Sequence, residues 1–207
     1  TASGTTSVAT RALTVSTPVQ DDYDFCCGTS ITIRGDDTPF VTGHKPEIED
    51  FTGTDCLDAE CTSAVTRSIE GYESSGYRVG RYSAVAIGSD GNPIVAYQDQ
   101  SNRHLNVAAC LDTACTTATI TAIDQEGDSL DNDVGTYIAI AIGADNNPVI
   151  THYNSDWGAK LVACSNTTCT SATITLLYSN GSPPGGKWTS VAIGSDDNPI
   201  VSFFGGG

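Results

Sequence analysis

The chain has 207 residues, 39% of them hydrophobic and 16% charged, with 21 glycines, a balance that excludes a wholly disordered chain. No apolar run approaches the roughly 18 residues of a membrane-spanning helix, so membrane insertion is not expected. With 25 acidic against 9 basic residues the formal net charge is -16, a surface that repels phosphate backbones and excludes nucleic acid as a partner.

In chain order, the first predicted element is a strand over 5–14, containing Thr5, Val8 and Leu13. It is similar to 62–69, the last strand of a repeat defined below. A chain that starts at Thr1 and holds no Met reads as a mature protein trimmed of a leader, or as a fragment. Cys26 and Cys27 follow, and a vicinal disulfide or a bond to another subunit both fit them. A pattern then recurs at 30–41, 84–95, 139–150 and 190–201, with prolines at 39, 93, 148 and 199 and steps of 54, 55 and 51. A second marker keeps the period: Cys56/Cys61, Cys110/Cys115 and Cys164/Cys169 are each Cys-x4-Cys, and successive pairs lie 54 apart. Each pair precedes a Thr-rich apolar run, at 62–69, 116–123 and 170–177.

Within one repeat, 82–87 is β-branched and half apolar, which predicts a strand. Ser89, Asp90, Gly91 and Asn92 predict a turn, and Pro93 opens a second strand where its missing N–H costs least. A polar turn at 99–103, a third strand at 105–110 and a fourth at 118–123 complete the unit. No helical period of useful length occurs. Four antiparallel strands per repeat of about 50 residues predict an all-β fold, a β-propeller of about four four-stranded blades. A β-sandwich leaves the four copies of one strand pair unexplained. The expected organisation is a single domain over 1–207, with blades at 26–70, 80–124 and 135–178 and the first two strands of a fourth at 186–204. The segment 5–14 is then the last strand of a blade shared between the two ends. A neighbouring subunit completing that blade, or a piece of a longer propeller, explains the pattern equally.

The pattern Ala-Ile-Gly-x-Asp-Gly-x-Pro-x-Val-x-Tyr with Cys-x4-Cys hairpins resembles secreted bacterial β-propeller repeat proteins over 26–204. The resemblance implies the architecture and an extracellular or cell-surface location, and it implies no defined activity. The Trp-Asp pair of WD repeats, the paired glycines of kelch repeats and a complete Asp-box are all missing.

The chemistry-bearing residues point to structure more than to catalysis. Cys-x4-Cys at the meeting of strands three and four suits hairpin disulfides in an oxidising compartment, not zinc, whose ligands cluster. His44, His104 and His152 share no register with each other and accompany no nucleophile motif, so no enzyme is expected. The aspartates Asp36, Asp90, Asp145 and Asp196 recur at one position, which assigns them to turn capping. Arg34, Gly35 and Asp36 spell an adhesion tripeptide on that same turn. No cofactor is expected. The acidic stretch with Asp124, Glu126, Asp128, Asp131 and Asp133 reads first as a solvated connection, and these five are the candidate ligands should it hold a hard cation such as calcium. Asn166 and Asn180 head glycosylation sequons. Tyr82, Tyr137 and Trp188 align at the start of strand one, and Trp157 falls in a turn. These four form a candidate carbohydrate-stacking set, with inter-blade packing as the simpler role for the first three. The functional expectation is a secreted, non-enzymatic structural or interaction protein whose partner is itself. It would form a filament or surface layer by strand addition, using Thr5, Val8 and Leu13 at one end and Ile200, Val201 and Phe203 at the other. A lectin-like propeller that binds glycans is the alternative. A sialidase-like hydrolase ranks below it, because Arg11, Arg34, Arg67, Arg78, Arg81 and Arg103 form no cluster in the sequence.

Overall fold

The computed structural model describes residues 28–71, 76–126, 134–179 and 185–205. The described residues are all-β and propeller-like. The first sheet holds β1 (Ser30–Ile33), β2 (Pro39–Lys45), β3 (Asp50–Cys56) and β4 (Ala64–Glu70). The second holds β5 (Val79–Ile87), β6 (Pro93–Asp99), β7 (His104–Cys110) and β8 (Ala118–Asp124). The third holds β9 (Val134–Ile142), β10 (Pro148–Asn154), β11 (Gly158–Cys164) and β12 (Ala172–Tyr178). A fourth pairs β13 (Lys187–Ile193) with β14 (Pro199–Phe204). Each four-stranded sheet is an antiparallel meander in chain order. The four turn prolines each open a second strand, as the composition of those turns predicts.

The sheets stack in sequence order. β5 meets β1 and β2, β9 meets β5 and β6, and β13 meets β9 and β10. The opening strands therefore line the inside of the stack, while β4, β8 and β12 lie outermost and each carries consecutive exposed residues. Phe40 and Phe51 of the first sheet pack with Val85, Val95, Tyr97 and Ala108 of the second. Ile94, Leu105 and Val107 of the second pack with Ile150 and Val162 of the third. Among the described residues the first and fourth sheets share no interface like those between successive sheets, and each keeps exposed residues on its outer face.

One glycine position sets how closely successive sheets approach. Gly80, Gly135 and Gly186 all have positive φ, at 89°, 74° and 118°. A Cβ there would meet the Cα of Phe51 at 2.8 Å, of Leu105 at 3.2 Å and of Ala159 at 2.9 Å, each on the third strand of the preceding sheet. Only glycine fits both the backbone and the gap. Cys26 holds the corresponding place in the first repeat and lies, with Cys27, outside the described residues.

Candidate functional site

Antiparallel order divides the molecule into two ends. The turns between strands one and two and between three and four lie at one end. The starts of strands one and three and the ends of two and four lie at the other. The first end is built for rigidity. Asp36, Asp90, Asp145 and Asp196 each accept a hydrogen bond from the backbone N–H two residues on, at 3.1, 3.0, 3.0 and 3.3 Å. Disulfides join Cys56–Cys61, Cys110–Cys115 and Cys164–Cys169, with Cα separations of 4.9, 4.8 and 4.9 Å. Within these hairpins Asp58 accepts from the N–H of Thr62 at 2.7 Å, Asp112 from Thr116 at 3.0 Å and Asn166 from Thr170 at 3.1 Å. Three disulfides belong to an oxidising, extracellular-type environment. No helix among the described residues is long and apolar enough to cross a membrane.

The opposite end carries the aromatic and ionic groups. β9 and β13 each carry a bulge opposite the second strand, and Tyr137 and Trp188 sit in those bulges with φ of 51° and 54°. The bulges aim the rings along the stack. Tyr82 and Tyr137 lie 5.3 Å apart between ring centroids, Tyr137 and Trp188 again 5.3 Å, and Trp188 and Phe204 5.5 Å. The structure thus unites three of the four predicted aromatics in one ladder. Trp188 is its free end, 61% exposed, while Tyr82 and Tyr137 are half-buried by their neighbours. Trp157, 50% exposed, stands in the turn between β10 and β11.

A second set of contacts had no signal in the sequence. The last residue of each fourth strand reaches the second strand of the next sheet. Tyr97 donates its hydroxyl to Glu70. Asp124 Oδ2 lies 3.1 Å from His152 Nε2 and accepts from Lys160 Nζ at 2.9 Å, all three residues being buried. Tyr178 and Phe203 make a ring contact at 5.5 Å. One position therefore holds a neutral-to-acid, an ionic and an aromatic lock at the three interfaces. Burial is the largest influence on the Glu70 carboxyl and holds it above the usual carboxylate range, outweighing the hydrogen bond from Tyr97. Burial also raises the Asp124 carboxyl, but hydrogen bonds and charge from His152 and Lys160 outweigh it and hold that group below the usual range. Burial likewise pushes His44 below the ordinary imidazole value, against the pull of Glu49.

These contacts bear on the remaining candidates. Glu126 also binds Lys160 Nζ, so an ammonium stands between the two described calcium candidates, Asp124 and Glu126. Asp128, Asp131 and Asp133 lie outside the described residues, as do Asn180 and the segment with Thr5, Val8 and Leu13. Arg34 is 8% exposed and donates to the carbonyls of Cys56 at 2.9 Å and Thr113 at 2.8 Å, with Asp55 at 2.6 Å. The guanidinium of the adhesion tripeptide is thus a structural tie between the first two sheets. Of the β14 residues expected in assembly, Phe203 and Val201 are half-buried and Phe203 faces the third sheet through Tyr178. Ile200, 66% exposed, lies on the free face with Phe204, 57% exposed. At the other end of the stack Ile31 and Ile33 are 63% and 55% exposed. The outer edge of β14 has no partner strand among the described residues. No protein-family model matches the chain, and no curated protein matches it.

Proposed function

We propose that this chain is a secreted, non-enzymatic structural or interaction protein, of the kind its repeats resemble. It self-assembles into an extracellular filament or surface layer by strand addition at the open edge of β14. The observation that carries the reading is the fourth sheet, which among the described residues holds two strands where its three predecessors hold four, with no described partner at the edge of β14 and with Ile200 and Phe204 exposed. Unpaired edges recruit strands from other chains. The stapled hairpins suit a module that bears load outside the cell. Electron microscopy of the native, untagged material tests the reading. Filaments or regular arrays are expected. Dispersed particles of 21.5 kDa at every concentration overturn it.

A lectin-like role is the second reading, favoured by the exposure of Trp188 and Trp157. Exposed aromatic faces stack on sugar rings, and a broad glycan array blank for the assembled protein removes this reading.

A further inference from the structure

We infer that a second copy of this chain covers both free faces, stacked head to tail, the outer face of its first sheet lying on the outer face of the fourth sheet of its neighbour. This rests on the self-assembly reading and adds to it the geometry of the contact. Two observations independent of the β14 edge carry it.

The first is repeat equivalence. Ile94 lies between the second and third sheets and is 3% exposed, whereas Ile200, at the same place in the fourth sheet, is 66% exposed. Val85 packs on the first sheet and is 7% exposed, whereas Ile31, at the same place in the first sheet, is 63% exposed. Among the described residues two surfaces are thus left free whose counterparts pack on one another at all three interfaces between successive sheets of the same chain.

The second is chemical matching at one buried point. Between the first and second sheets Thr42 and Ser83 share a hydrogen bond at 3.0 Å, and Ser83 donates onward to the carbonyl of Gly28 at 3.0 Å. Between the third and fourth sheets the same positions hold Thr151 and Thr189. Thr151 donates to Thr189 at 3.0 Å, and Thr189 donates to the carbonyl of Tyr137. All four residues are buried. Between the second and third sheets these positions hold Ala96 and Ile138, both in the apolar cluster. Hydroxyl meets hydroxyl and methyl meets methyl, as burial without an orphaned polar group requires. On the free faces the two positions are Ser202 in the fourth sheet and Thr29 in the first, both exposed. They are the two halves of the same relay, with the carbonyl of Trp188 as its acceptor. Because the faces differ, the contact is heterologous, and it propagates into a ring or filament of copies.

Cysteine cross-linking between copies tests the stacking. Thr29→Cys and Ser202→Cys are made in separate full-length chains, both at exposed positions that leave the fold intact. The chains are mixed under mild oxidation, and assembly is followed in parallel by mass photometry. A hydroxyl relay brings its two Cβ atoms within disulfide reach. The expected result is a covalent dimer from the mixture, at least tenfold more abundant than from either variant alone. Assembly without the mixed dimer overturns the stacking and leaves strand addition standing. A wild-type chain that stays monomeric at all concentrations overturns both. A chain carrying both cysteines that closes an internal bond as a monomer shows that its own first sheet covers the face, and also overturns the inference.

Discussion

Glu70 and Asp124 occupy one position of the repeat, are both acidic, and are held on opposite sides of the usual carboxylate range. The difference lies in what the next sheet offers: a tyrosine hydroxyl to Glu70, a histidine and a lysine to Asp124. Asp124 is depressed in the folded state, so its stabilisation is present above the unfolded value of about 3.9 and is lost as pH falls below it. Glu70 is raised, so ionising it costs stability, a cost that sets in as pH rises past the unfolded value of about 4.3. Asp124→Asn is therefore expected to destabilise at neutral pH by about 3 kcal/mol, since it leaves a buried lysine poorly paired, with the penalty shrinking toward about pH 3. Glu70→Gln, which keeps a hydrogen-bond acceptor for Tyr97 without the charge, is expected to raise the melting temperature at neutral pH and to lose that advantage below about pH 4. Thermal melts of both variants across this range check the pair. Shifts of the same sign at neutral pH would refute the assignment. These locks were illegible beforehand because the partners lie 27 and 36 residues apart and the chemistry changes from one interface to the next.

At the scale of the element, the hairpin between strands three and four closes on itself. A disulfide spanning five positions and an Asx-type cap fix the same turn, and the second cysteine of each pair adopts a positive φ, 53°, 53° and 51°. L-residues adopt that backbone at a cost, which the bridge and cap offset. Removing the bridge in Cys110→Ala/Cys115→Ala is expected to lower stability by about 2 kcal/mol through loop entropy. Denaturant unfolding of the double variant measures it, and an unchanged midpoint would show that the cap alone holds the turn. Such hairpins, and the Asp-to-Pro turns, were legible because every interacting residue lies within a few positions and recurs with the period. Strand one was only partly legible. Its bulged start, from Val79, depends on glycines whose role is set by the preceding sheet, and on aromatics whose positive φ no local pattern announces.

On the scale of the whole molecule, the net charge of -16 and the composition of the free faces pull against each other. Two copies approaching each other carry the same sign, and long-range repulsion slows and weakens any contact between them. The residues that the stacking brings together are uncharged: Ile31, Ile33 and Thr29 on one side, Ile200, Ser202 and Phe204 on the other. Apolar burial gains from salts that are excluded from protein surfaces, and repulsion fades once the Debye length falls from about 10 Å at 0.1 M to about 3 Å at 1 M. Both effects act in one direction. Self-assembly through these faces is expected to strengthen as sodium sulfate is added, and the critical concentration seen by sedimentation or light scattering falls accordingly. An interface built on salt bridges between acidic loops and the 9 basic residues would weaken under the same titration. The sign of the salt dependence therefore tells which surface of this acidic molecule meets its neighbour. Assembly that dissolves with added salt would place the contact on the charged exterior and leave the sheet faces without a role in it.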